Sequence, residues 1–221
     1  MHSPRFSGQR LAFLIGVPLA WAVLLLFHPQ GSGRLYDAVR DEVTRWQVVH
    51  VGTVFFIGLM GLAVYLLVRD LPGTAARVSR WAAAVFVLFY GAWEAVAGLT
   101  VGALIQYTNG LPATERSTGS DAIESVNDNA IVGDFGLLNS VGALAWVTAV
   151  AAAAVAVRRA GAPLSAAVLL GLSAIVVNHP PPTGPIGLAF FAAAVLLIAR
   201  AQPARRPLER SEPALRVSMR A

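Results

Sequence analysis

Six apolar runs, separated by short polar connections, constrain this sequence more than any other feature. They cover residues 11–27, 47–68, 81–105, 135–157, 164–177 and 185–199. A helix needs about 20 apolar residues to cross a bilayer core of about 30 Å. The middle runs are long enough, whereas the first is a little short. The last two are shorter still, so we expect them either to cross a thinned bilayer or to form a hairpin that enters part way.

The composition agrees with a membrane protein. The 221 residues are 56% hydrophobic and only 13% charged, whereas soluble domains are charged at about a quarter of their positions. We therefore predict an all-α integral membrane protein, a bundle of six transmembrane helices over residues 1–200. Residues 201–221 are rich in Arg and Pro and predict a disordered cytoplasmic tail.

Loop charges predict the orientation of the bundle. Arginines are concentrated at the N-terminus, in the second and fourth connections and in the tail, namely Arg5, Arg10, Arg69, Arg77, Arg80, Arg158, Arg159 and six from Arg200 to Arg220. The other connections are neutral, or contain at least as many acidic residues as arginines. Because basic loops stay in the cytoplasm, both termini should be cytoplasmic, in the plasma membrane.

Two outer segments stand out under this topology. Residues 35–45 place apolar Leu35, Val39 and Val43 at helical spacing between charges, which predicts a short amphipathic helix on the outer surface after span one. The third connection is long, polar and rich in Gly, Ser, Asn and Asp. We expect it to be a flexible outer loop or a lid without a core of its own.

Residue types that are absent exclude several kinds of chemistry. The chain has no Lys and no Cys, so it cannot form a lysine Schiff base, a disulfide framework or a thiolate site. It also lacks the G-x-S-x-G, H-E-x-x-H, Walker and G-x-G-x-x-G motifs. The arginines flank membrane spans rather than forming a patch mixed with aromatic residues, so nucleic acid is not an expected partner.

Two of the four histidines stand directly before a proline at the end of an apolar run. His28 precedes Pro29 and His179 precedes Pro180. A residue before proline avoids the α region, so each helix should end at or near its histidine. The predicted topology places both side chains at the outer face, with Asn178 beside the second.

A third histidine and one acid are predicted at a similar depth. His50 lies about 6 Å below Trp46, which we interpret as an interfacial anchor at the outer start of span two. His50 shares a helical stripe with Gly58 and Gly61, and small residues favour a face that packs against another helix.

Glu94 is the acidic residue well inside a span. It lies about 20 Å from the cytoplasmic start of span three at 1.5 Å per residue, so it should be in the outer half of the bilayer. Tyr90, Glu94 and Gly98 recur at helical spacing, which predicts that this face also contacts a neighbour. Asp134 and Asn139 add polar groups at the same end of span four.

Together these residues suggest a metal site. His28, His50, Glu94 and His179 form a set of three imidazoles and one carboxylate, which suits zinc, copper or iron. A b-type haem with two histidines as axial ligands is a variant. No pair has a local ligand spacing such as H-x-x-x-H, so this hypothesis requires the spans to converge.

Three alternatives stay open. In the first, the protein is a metal-free membrane enzyme in which Glu94 and His50 are catalytic, with Glu94 as general acid on a lipidic or isoprenoid substrate. In the second, Glu94 and His50 are protonated alternately in a proton-coupled transporter. In the third, these groups only pack the bundle or bond helix ends. Expected partners are membrane lipids and, for the enzyme, a lipid-soluble small molecule.

Overall fold

The computed structural model describes residues 6–201, and within that range the chain is helical with no strand. Its helices are α1 (Gly8–Leu25), α2 (Leu35–Val39), α3 (Val43–Val68), α4 (Thr74–Glu94), α5 (Val101–Asn109), α6 (Arg116–Asn127), α7 (Leu137–Arg159), α8 (Leu164–Leu172) and α9 (Thr183–Arg200). The predicted tail lies outside the described residues, apart from its first residue.

Five helical stretches in the described range are long and apolar enough to cross a membrane. They are Gly8–Leu25, Leu35–Val68, Thr74–Asn109, Leu137–Arg159 and Thr183–Arg200. The prediction of a helical membrane protein is thereby confirmed in outline. The fifth apolar run is a shorter helix, because α8 has nine residues and continues as a five-residue 3-10 turn, Ser173–Val177. Whether this segment crosses the membrane stays a prediction.

The long helices pack in a closed ring. α1 contacts α3, α3 contacts α4, and α4 packs extensively against α7. α7 then packs against α8, α8 against α9, and α9 against α1. Large side chains fill the interior, with Trp21, Phe86, Trp146 and Phe191 at most 1% exposed. At Gly142 a Cβ would lie 2.6 Å from the backbone nitrogen of Tyr90, so the close approach of α7 to α4 requires glycine there.

An ion pair joins the first and third helices at one end of the ring. Arg10 Nη1 lies 2.5 Å from a carboxylate oxygen of Asp70, and the Arg10 side chain is 8% exposed. The same guanidinium also donates to the carbonyl of Leu66. The hydrogen bond from Arg10 lowers the pKa of the Asp70 carboxyl. This contact ties the start of α1 to the end of α3.

The third connection differs from the expected flexible loop. Residues 116–127 form α6, which packs on α2 through Ile123, a fully buried side chain. Arg34 pairs with Asp121 at 2.5 Å, and the backbone N–H of Leu35 donates to Glu124. The connection has no core of its own, as expected, because α2 and α5 supply the apolar partners that α6 lacks by itself. We call α2, α5 and α6 the cap.

The segment after span one is helical, as the sequence predicted. α2 is followed by a 3-10 turn, Arg40–Glu42, which leads directly into α3. Of the glycines expected on the packing stripe of α3, Gly61 lies against Val87, whereas a Cβ at Gly58 would meet nothing within 4 Å. Gly58 is therefore not at a close helix contact, and the prediction for that residue was wrong.

Candidate metal centre

Three histidines from separate parts of the chain meet at one end of the ring. His28 follows the end of α1, His50 lies in the second turn of α3, and His179 precedes α9. One ring nitrogen from each lies within 4.8 Å of the others. The ring centroid of His28 lies 5.0 Å from that of His50 and 5.2 Å from that of His179. All three side chains are buried.

Backbone carbonyls orient two of these imidazoles. The Nδ1 atom of His28 lies 2.7 Å from the carbonyl oxygen of Pro29, and Nδ1 of His50 lies 2.7 Å from that of Trp46. A carbonyl only accepts, so each Nδ1 donates its proton and each Nε2 keeps a lone pair. A second-sphere carbonyl on the outer nitrogen is the usual arrangement for a metal-binding histidine.

Tyr90 orients the third imidazole. Its hydroxyl donates to the carbonyl of Val177 at 2.9 Å and lies 3.2 Å from Nδ1 of His179. Since the phenol proton is used, the hydroxyl accepts from Nδ1 of His179. The Nε2 atom of His179 is buried without a hydrogen-bond partner. All three imidazoles therefore present an unprotonated Nε2.

Burial favours the neutral form of the histidines in the connecting segments. It lowers the pKa of His28 and places that of His179 well below its usual range. The nearby imidazoles act in the same direction on His179, because two cations at this distance would repel each other. Neutral imidazole is the form that binds metal ions.

Glu94 lies beside this cluster. Its side chain is completely buried, and Oε1 lies 3.7 Å from Nε2 of His50. Neither carboxyl oxygen has a hydrogen-bond partner within the described part of the chain. A buried carboxyl group without a hydrogen-bond partner is costly.

A π-helical segment follows Glu94 directly and shapes the wall of the site. It covers Ala95–Thr100. The indole N–H of Trp46 donates to the carbonyl of Gly98 at 2.8 Å, and a Cβ at Gly98 would lie 2.7 Å from Cβ of His50. π-helical turns are rare in proteins overall, and those that occur are often found at functional sites. Here the turn brings a backbone without a side chain against the imidazole.

Trp46 has a different role from the one expected. It is 8% exposed, and its ring stacks on His50 with centroids 4.0 Å apart. The interpretation as an interfacial anchor was wrong, because the cap covers this end of α3 and removes the indole from the surface. Its spacing of four from His50 was the signal that could have identified it as a site residue.

The backbone holds His179 in place. Thr183 donates its hydroxyl to the carbonyl of Asn178, and Gly184 approaches the carbonyl of His179 so closely that no Cβ would fit. The side chain of Asn178 is exposed. Its contribution to the site is therefore through its backbone.

The remaining polar residues make no described hydrogen bond to the three histidines. Asn139 donates from its side chain to the backbone carbonyl of Asp134 at the start of α7. Asp134 is exposed, and the described contacts of these two residues do not include an imidazole. The described hydrogen bonds of Asp134 and Asn139 are local to the start of α7, and their supporting role stays a prediction.

Comparison with known proteins adds no assignment. No protein-family model, curated protein or solved structure matches the chain. The function must therefore be inferred from the site.

Proposed function

We propose that this membrane protein binds one transition-metal ion through His28, His50 and His179, with Glu94 as a fourth ligand. The observation that carries the proposal is the convergence of three imidazole nitrogens within 4.8 Å. Nitrogens bound to one zinc ion at about 2.1 Å in tetrahedral geometry are roughly 3.4 Å apart, so binding draws the rings together by roughly an ångström.

The chemistry of the ligands favours zinc, copper or iron. Imidazole and carboxylate suit these ions, and the chain has no thiolate to offer. Zinc with three histidines is a well-attested centre, in which the fourth position holds water, substrate or a further side chain. The carboxylate would also offset part of the charge of a buried divalent ion.

The packing favours a single ion over haem. The three imidazoles face one another across centroid distances of 5.0 to 6.0 Å. The face of His50 is already covered by Trp46. A porphyrin between two axial histidines would have to separate these rings and displace the indole.

The proposed orientation puts the centre at the non-cytoplasmic end of the bundle. The described arginines of the second and fourth connections lie at the opposite ends of the same helices, and basic loops favour the cytoplasm. With six crossings, the metal would be exchanged with the outer side of the plasma membrane.

Metal titration of the purified full chain tests the proposal. The protein is stripped with a chelator in detergent and titrated with zinc and with cobalt, whose visible bands report tetrahedral coordination. We expect one equivalent to bind, and His50→Ala to weaken binding by more than about a hundredfold, since losing a ligand costs more than losing an outer partner. Gln47→Ala, on the same helix, is the matched control and should bind as the original chain does.

Four further results decide between the alternatives. Glu94→Gln should weaken cobalt binding and change its spectrum if the carboxylate is a ligand. A folded protein that takes up none of zinc, cobalt, copper or iron would contradict the proposal. Retention of stoichiometric binding by the double variant His28→Ala/His179→Ala would also contradict it. A Soret band in the purified protein would assign haem instead.

A further inference from the structure

An open groove lies on the outer side of α1 and α3, next to the histidine cluster. Its volume is about 580 Å³, within the range of small-molecule sites. Leu24, Phe27 and Val48 line it, and Val49 forms part of its buried wall. Phe27 and Val49 immediately precede His28 and His50 in the chain.

The apolar side chains of the groove wall are more exposed than those of a protein interior. Phe27 is 59% exposed and Val48 is 61% exposed. Exposed apolar side chains beside helices long enough to cross a membrane are suited to contact with hydrocarbon. This part of the groove wall is also concave. A concave apolar wall holds an acyl chain in one place, whereas a convex helix face only contacts passing lipid.

Charged residues form one end of the groove. Asp41, Glu42 and Arg45 line it where α2 turns into α3. Arg45 pairs with Glu42, and the side chain of Asp41, which is 88% exposed, lies 3.9 Å from the guanidinium of Arg40. Two carboxylates and one guanidinium line this end, and Arg40 beside Asp41 brings the local charge close to balance. Such a mixed set suits a headgroup that carries both a phosphate, for Arg45, and a cationic group, for the carboxylates.

We propose that the groove binds a zwitterionic phospholipid with a primary ammonium group, such as phosphatidylethanolamine. One acyl chain lies against Leu24, Phe27 and Val48. The phosphate contacts Arg45, and the ammonium group contacts Asp41 and Glu42. A purely anionic headgroup supplies no cation for the carboxylates, so it is complementary to only part of this end. The lipid site is independent of metal binding, although its assignment to the outer leaflet rests on the topology given under the proposed function.

Photo-crosslinking of the full chain in lipid nanodiscs tests this proposal. The probe is phosphatidylethanolamine with a diazirine in one acyl chain, and labelled peptides are identified by mass spectrometry. We expect labelling to concentrate at Leu24, in the last turn of α1, and at Phe27, just after it. Val48→Trp fills the groove and should reduce that labelling at least fivefold. Val51→Trp, on the same helix at a 46% exposed position outside the groove, is the matched control and should leave it unchanged.

Two measurements keep the test independent of folding and of the metal. In the original chain, excess unlabelled phosphatidylethanolamine should suppress labelling in the groove and leave labelling at the convex position Phe55 unchanged. Phosphatidylglycerol should compete with the probe at least fivefold less well. Zinc binding by Val48→Trp, measured in parallel, should equal that of Val51→Trp. Equal labelling of the two Trp variants, or equal competition by the two lipids, would overturn the proposal whatever the metal result.

Discussion

At the scale of single residues, the neighbours of the histidines make them suitable as ligands. His28 and His50 each donate Nδ1–H to a backbone carbonyl, and Tyr90 accepts from His179. These contacts select the tautomer with a free Nε2. Gly98 is equally important, because it lets the backbone of the π-helical turn lie against His50.

We expect Gly98→Ala to lower zinc affinity roughly tenfold. Ala is favoured over Gly in a helix by about 1 kcal/mol, but the added methyl group would meet the imidazole of His50, and overpacking costs about 1 to 3 kcal/mol. Gly91→Ala is the control, since its Cβ would lie 3.8 Å from Ile57, an ordinary contact. Competition titration with a zinc chelator measures both affinities. Equal affinities in the two variants would show that the close approach at Gly98 does not matter to the site.

At the scale of secondary-structure elements, the cap links the first and third connections to the site. α6 is polar and forms its small core only with α2, α5 and the start of α3, through Tyr36, Ile105 and Ile123. Trp46 belongs to that core and also stacks on His50. Packing of the cap therefore helps to hold the imidazole beside the other two.

We expect Ile123→Ala to destabilise the cap by about 2 to 5 kcal/mol, the usual cost of such a truncation in a core. Amide hydrogen exchange should speed up at least tenfold in residues 116–127 and remain unchanged in α7. Ile131→Ala removes the same atoms from a side chain that is 58% exposed, and should have little effect. If the amide hydrogens of residues 116–127 exchange at the same rate in both variants, α6 does not depend on this core.

At the scale of the whole molecule, the ring of helices separates two chemically different ends. The Arg10–Asp70 pair and the arginines of the second connection lie at one end, whereas the three histidines and the cap lie at the other. α8 and its 3-10 turn lead from the arginine end to His179 over about 24 Å. That length is less than the hydrocarbon core of about 30 Å, so a crossing here requires a locally thin membrane.

Cysteine labelling in intact cells tests the six-crossing topology, and the chain has no cysteine of its own. We expect Ser117→Cys and Asn178→Cys to react with an impermeant maleimide. Thr74→Cys should react only after permeabilisation. All three positions are exposed. Reaction of Asn178→Cys only after permeabilisation would show that its segment does not reach the outer side.

Sequence alone determined the helical membrane architecture and the helix ends near His28 and His179, because apolar length and proline sterics act locally. It also placed Glu94 and His50 on faces that pack against neighbours, since helical periodicity defines a face relative to the helix's own axis. Periodicity does not say which helix packs against that face. Only tertiary packing brought the three imidazoles together, buried Trp46 under the cap and put Glu94 beside His50, since each depends on contacts between residues far apart in the chain.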